Sequence, residues 1–188
     1  MNACLAIRLA FAAALAAGSA AAADGGALTV IGDGYAQDCW LAAIDGKSDD
    51  AAMQICGAAL ASEILSRHDR GATFINRGVM KMRRRDFAGA MVDLNAGVRL
   101  APEAGEGWTN RGGALIGVKR YSEGLGDINR GLALGVKEPE KAYFNRALAY
   151  EGLDDEKAAY FDYQKALALK PGWALPQQEL LRFTVSRQ

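Results

Sequence analysis

The stretch FINRGVMKM, Phe74 to Met82, decides the fold, because its pattern returns as WTNRGGALI, Trp108 to Ile116, and again as YFNRALAYE, Tyr143 to Glu151. An aromatic residue stands two positions before an Asn-Arg pair each time, and a small residue follows the pair. Asn76, Asn110 and Asn145 lie 34 and 35 residues apart, and other columns keep the same two steps. They are Phe74, Trp108 and Tyr143; Gly78, Gly112 and Ala147; Ala90, Gly124 and Ala159; Asp93, Asp127 and Asp162; Leu94, Ile128 and Tyr163; and Gly97, Gly131 and Ala166. The extra residue of the second step falls in LGVKEPEK, between units, where it disturbs no helix interior.

A 34-residue period with these columns resembles the tetratricopeptide repeat (TPR), an antiparallel pair of helices that stacks on its neighbours. The resemblance covers residues 71 to 173. Counted from Gly71, there is an aromatic at the fourth position, small residues at the eighth, twentieth and twenty-seventh, and an apolar residue at the twenty-fourth. Pro102 and Pro171 fill the thirty-second. Val136 stands where the family has proline, and Lys81 where it has an aromatic. The family implies an all-α protein, a right-handed α-solenoid of stacked hairpins, with repeats at 71–104, 105–138 and 140–173. Small residues permit close helix crossings, and the aromatic column is expected to fill the space between hairpins.

Both ends of such an array need covering. Residues 174–188, with ALPQQELLRFTVS, are expected to form a terminal capping helix, opened by a proline in its first turn. Residues 24–70 read as a degenerate fourth hairpin, DGYAQDCWLAAIDG followed by SDDAAMQICGAALASEILSRH, with Ser48 as the N-cap of its second helix. Trp40 falls in the aromatic column and Cys56 in the small-residue column of the twentieth position. Cys39 lies about as far before the turn as Cys56 lies after it, so an antiparallel hairpin sets them at one height. A Cys39–Cys56 disulfide is expected there. The alternative of a redox or metal pair lacks both the Cys-x-x-Cys spacing and a nearby His.

Before Asp24 the chain changes character. Arg8 is followed by LAFAAALAAGSAAAA, an alanine-rich run ending in small residues, as in a secretory signal. Residues 1–23 are read as a signal peptide cleaved near Ala23, which carries the protein to the periplasm. An uncleaved tether is the other reading, set against by the shortness and weak hydrophobicity of the run. An oxidising compartment suits the remaining cysteine pair.

The 188 residues are 51% hydrophobic and carry no formal net charge, 22 basic against 22 acidic side chains. That balance removes the broad attraction on which nucleic-acid binders depend, and no later segment is apolar enough to imply membrane contact. GKS at Gly46–Ser48 lacks the upstream glycine of a phosphate-binding loop, since Leu41 stands there. DGKSDD fails as a calcium loop, with Lys47 at a ligand position and Cys56 where the bidentate Glu belongs. His68 is the single histidine and sits in a polar connection. No catalytic constellation, metal site or cofactor is expected, and the chain is read as a non-enzyme. The basic run KMRRR, Lys81 to Arg85, is read as cations at a helix C-terminus.

Two columns remain. Arg77, Arg111 and Arg146 hold the seventh position and match Asp93, Asp127 and Asp162 on the facing helices, which implies repeated structural ion pairs. Asn76, Asn110 and Asn145 hold the sixth, which in the family faces the concave groove. They resemble the asparagine ladder of the O-linked N-acetylglucosamine transferase superhelix, whose amides bind an extended peptide's backbone. An amide offers the donor and the acceptor that a main chain needs. The resemblance further implies a groove lined by Ile75, Val79 and Met82, by Thr109, Gly113 and Ile116, and by Phe144, Leu148 and Glu151. The carboxylate clamp of chaperone-binding members is incomplete, with Ala72 and Ile75 at its positions in the first unit and Asn145 in the third. The expected function is capture of a protein or peptide partner in this groove. The alternative is a scaffold for envelope-complex assembly through the edges or convex face, or by self-association.

Overall fold

A computed structural model describes residues 5–9, 26–30 and 34–187. The chain is an α-solenoid of helical hairpins. The helices are α1 (Tyr35–Ile44), α2 (Asp50–Ser62), α3 (Arg67–Arg83), α4 (Phe87–Leu100), α5 (Gly105–Gly117), α6 (Tyr121–Leu134), α7 (Pro139–Gly152), α8 (Glu156–Leu169) and α9 (Ala174–Leu180). Pairs α1/α2, α3/α4, α5/α6 and α7/α8 pack as hairpins, and α4 on α5 and α6 on α7 join one hairpin to the next. Helices α3, α5 and α7 touch in succession and form the inner layer.

Local chemistry explains the breaks. Asp86 and Asp155 cap α4 and α8 by accepting from Gly89 N and Ala158 N, and Ser66 caps α3 through Asp69 N. The turns of α3/α4, α5/α6 and α7/α8 each pass through a left-handed residue, Arg85 (φ 61°), Lys119 (φ 63°) and Asp154 (φ 59°), which again follow the 34- and 35-residue steps. Helix α3 starts a turn before Gly71, so His68 is helical and exposed, 3.4 Å from Asp69 Oδ1. The N-cap of α2 is Asp49, not Ser48, because the Asp49 carboxylate reaches Ala52 N at 2.9 Å.

The crossings depend on missing side chains. A Cβ on Gly112 would stand 2.6 Å from Ile128 Cγ1 and 2.9 Å from Gly124 O, and one on Gly78 would stand 2.8 Å from Leu94 Cγ. Such contact distances are repulsive, so α5/α6 and α3/α4 approach this closely only with glycine.

The C-terminus differs from the expected helix over 174–188. Helix α9 stops at Leu180, and Phe183–Arg187 forms β2, paired antiparallel with β1 (Leu5–Leu9) from Leu9↔Phe183 to Leu5↔Arg187. FTVS carries a Phe and β-branched residues that favour a pleated chain. Phe183 also turns in against Tyr160 and Tyr163, with ring centroids 5.6 Å and 6.1 Å away. Strand β1 falls within the expected leader 1–23 and packs on α8; the rest of that leader lies outside the described residues. Among the described residues no helix is long and apolar enough to cross a membrane.

Candidate peptide-binding groove

The Arg and Asp columns meet as forks. Arg77 Nε and Nη2 donate to Asp93 Oδ2 and Oδ1 at 2.8 and 2.7 Å, Arg111 to Asp127 at 2.6 and 2.8 Å, and Arg146 to Asp162 at 2.6 and 2.8 Å. Each joins the two helices of one hairpin. The Asp162 carboxylate holds Arg146 above its ordinary pKa. A second link crosses between hairpins, since Arg111 Nη1 donates to Asn95 Oδ1 and Arg146 Nη1 to Asn129 Oδ1. Lys81, the departure from the family's aromatic, adds a second cation at Asp93, 2.7 Å from Oδ2.

The aromatic column also meets these arginines. Arg111 lies 4.6 Å and Arg130 3.7 Å from the Trp108 ring, and Arg146 lies 5.0 Å from that of Tyr143. The neighbouring fifth position fills space between helices as well, and this revises the expected groove. Ile75 sits against Gly97 and Gly107, Thr109 against Gly131, and Phe144 stacks with Tyr163 and Trp173 at 5.6 and 5.1 Å. Their side chains enter glycine-lined or aromatic hollows between helices, where apolar burial is larger than on a groove wall. Ile116 packs with Ile128, Ala142 and Ala149, and Leu148 bridges that cluster and the Phe144 one. Val79 and Met82 are buried, Met82 in the cluster around Leu94, while Gly113 is buried and Glu151 partly so.

The asparagine column is different. Asn76, Asn110 and Asn145 are fully buried polar side chains, and Asn76 and Asn110 bond main chain. Asn76 Nδ2 donates to Leu28 O at 2.8 Å while its Oδ1 accepts from Leu28 N at 2.7 Å. Asn110 Nδ2 donates to Gly26 O at 2.9 Å. The segment Gly26–Val30, without secondary structure of its own, therefore lies against the inner layer with its backbone read by the ladder. Leu28 and Val30 are buried in one cluster with Ala36, Ala72, Ile75 and Met82, while Ala27 and Thr29 are only partly covered, the alternation of an extended chain. One asparagine step corresponds to two residues of the segment, about 7 Å of extended chain.

The groove wall between α6 and α7 supplies charged partners that sequence reasoning missed. Lys137 Nζ donates to Thr29 Oγ1 at 2.6 Å, Glu106 accepts from Lys137 N at 3.2 Å, and Glu138 holds Lys141 at 2.9 Å. The signal that could have shown the occupant was the alternation ALTV just after the leader, Leu28 and Val30 on one face.

The N-terminal hairpin closes the neighbouring end. Cys39 and Cys56 sulfurs lie at disulfide bonding distance with Cα atoms 4.8 Å apart, and Met80 Sδ lies 3.7 Å from Cys56 Sγ. Glu63 accepts from Tyr35 N at 2.6 Å and Ala36 N at 3.0 Å, capping α1. The basic run is partly consumed here, with Arg83 donating to Ala43 O at 2.7 Å and Arg84 to Asp50 at 2.6 Å.

At the opposite end, burial pushes the Tyr163 hydroxyl well above its ordinary pKa, with the Glu151 carboxylate adding to the shift. It stays protonated and donates to Glu151 Oε1 at 2.6 Å, where Arg182 also donates at 2.6 Å. Burial raises the Glu179 carboxyl against the opposing charge of Arg182. Among the described residues no group of three or more His, Cys, Asp or Glu is placed to hold a metal.

No family model matches the sequence, and no curated protein does. Solved structures match the fold. The Arabidopsis OM64 TPR domain is 20% identical with a TM-score of 0.58, over 62% of this chain and 96% of that one. MamA from Desulfovibrio magneticus RS-1 is 20% identical with a TM-score of 0.61, over 80% and 84%. The second TPR domain of human RPAP3, solved in complex with the HSP70 peptide SGPTIEEVD, is 22% identical with a TM-score of 0.55, over 62% and 96%. The chain thus has the fold of tetratricopeptide domains.

Proposed function

We propose that the chain is a non-catalytic interaction module that captures an extended segment of a protein partner in its concave groove. The observation that supports this reading is the paired donor and acceptor of Asn76 on the Leu28 main chain, because it recognises a polypeptide irrespective of side chain. A similar fold holds a peptide in the RPAP3 complex. The protein works in the periplasm after removal of residues 1–23, where the Cys39–Cys56 disulfide forms and pins the hairpin beside the groove. Cleavage near Ala23 would leave Gly26–Val30 close to the new amino terminus.

The test is a crosslinking pull-down from an envelope extract with the exported protein and its Asn76→Ala, Asn110→Ala, Asn145→Ala triple variant. A partner held by the first and lost by the second, at unchanged helicity, supports groove capture. Equal capture by both would move the function to the scaffold reading, through the edges or the convex face.

A further inference from the structure

The groove's occupant states what the groove accepts. At Leu28 the amide N–H donates to Asn76 Oδ1, a bond proline cannot make. The Leu28 side chain and that of Val30 two residues on are 8% and 3% exposed, so both positions demand an aliphatic group. Two residues earlier Gly26 has φ 90°, where side chains are rarely tolerated, and a Cβ there would stand 2.6 Å from Glu138 Oε2. Between the aliphatic positions, Thr29 offers an oxygen acceptor to Lys137 Nζ. The read-out is therefore Gly-x-Leu-Thr-Val, with glycine chosen by sterics, the two aliphatics by burial and the hydroxyl by a cation.

Building on the capture function, we infer that the partner presents an extended Gly-x-aliphatic-(Ser/Thr)-aliphatic segment without proline at the first aliphatic position, and that the chain's own Gly26–Val30 competes with it. A partner then binds by exchange: the same two faces of Asn76 cannot serve two backbones, and its apparent affinity falls by the fraction of time the groove stands open. The arm is joined to α1 by only four residues, 31–34, so its local concentration at the groove is high and exchange favours partners that present the motif at high density or in tandem.

The experiment uses the exported protein and a fluorescein-labelled decapeptide, DGGALTVIGD, the sequence of residues 24–33. Binding is read by fluorescence anisotropy to the wild type and to Leu28→Asp, which places a charge in the apolar cluster and unseats the arm. The expected result is at least about tenfold tighter binding to Leu28→Asp, loss of that gain when Asn76→Ala is added, and at least about tenfold weaker binding of a decapeptide with Pro in place of Leu. If Leu28→Asp loses its helical circular dichroism, Gly26→Val unseats the arm's first residue without touching the cluster and takes its place. Equal affinity for wild type and the unseated variant overturns self-competition. Equal affinity for the Leu and Pro peptides, or no binding to a folded unseated variant, overturns the motif. Either failure is separable from failure of groove capture itself, because the triple-asparagine pull-down reports that without the decapeptide.

Discussion

Replacing Arg146 by Met should cost markedly more than replacing Arg77 by Met, although both arginines make the same two-pronged bond. Asp162 has a side chain 9% exposed and loses both fork bonds with Arg146, whereas Asp93, 2% exposed, retains Lys81 at 2.7 Å from Oδ2. Two unit charges about 4 Å apart interact by roughly 4 kcal/mol at an effective dielectric of 20, and leaving one buried partner alone typically costs about 3 to 5 kcal/mol. Arg146 is 22% exposed, so water softens the loss, and about 3 kcal/mol is expected for Arg146→Met. Arg77→Met, with Lys81 still compensating, should cost about 1 kcal/mol. The assay is equilibrium urea unfolding followed by circular dichroism; with a slope of about 2 kcal/mol per molar, the midpoints should fall by roughly 1.5 M and 0.5 M. The double variant Arg146→Met, Asp162→Asn should recover most of the first loss, because it removes the stranded charge. Equal midpoint shifts for the two arginines, or no recovery in the double variant, would refute the reasoning.

Other expectations are as direct. Gly112→Ala should destabilise by about 1 to 3 kcal/mol, since the new methyl meets the Gly124 carbonyl, whereas Gly126→Ala, with open space around it, should be neutral or gain up to about 1 kcal/mol; thermal melts of the pair report the difference. Reduction of the Cys39–Cys56 bond should lower stability by about 3 kcal/mol in the chain-entropy model, and a free-thiol count of two in periplasmic material would remove the basis for it. Glu179 has a folded-state pKa above its unfolded value, so the folded state holds its proton longer and ionisation costs stability as pH rises through that folded value. Glu179→Gln should therefore flatten the fall of Tm with rising pH just above the ordinary glutamate range, and parallel wild-type and variant profiles would contradict it.

Much of the solenoid was readable in advance because each hairpin imposes the same demands at the same offset. Arg and Asp 16 residues apart find each other in all three hairpins, as the columns imply. The Asn95 and Asn129 links were harder to see, since they cross a hairpin boundary and the inserted residue shifts one of them by a position. The fifth and sixth positions are neighbours only 100° apart around a helix. Which of them enters the hollow is decided by Gly97 and Gly131 on the facing helices, a reciprocal fit that a single helix cannot reveal. Residues after Leu180 resisted for another reason: Leu180, Leu181 and Val185 suit a helix, yet Phe183 gains two tyrosine rings by leaving it. The groove's contents lay furthest from reach, because nothing local in GALTV says that its hydrogen bonds go to residues 48 and 84 positions away.

The match of two chain residues to one asparagine step makes the groove a ruler as well as a clasp. Sliding a bound segment by one residue would turn its aliphatic groups out of the apolar cluster. Sliding by two would restore the alternation and offer each amide a fresh peptide unit, so the ladder alone cannot forbid it. The Gly26 site opposes it: a two-residue slide towards Asn110 would place Leu28 where the backbone takes φ 90° and a Cβ would have to displace the Glu138 carboxylate. The glycine position thus sets the phase of whatever lies in the groove, and a segment with a second glycine two residues on should settle in more than one register.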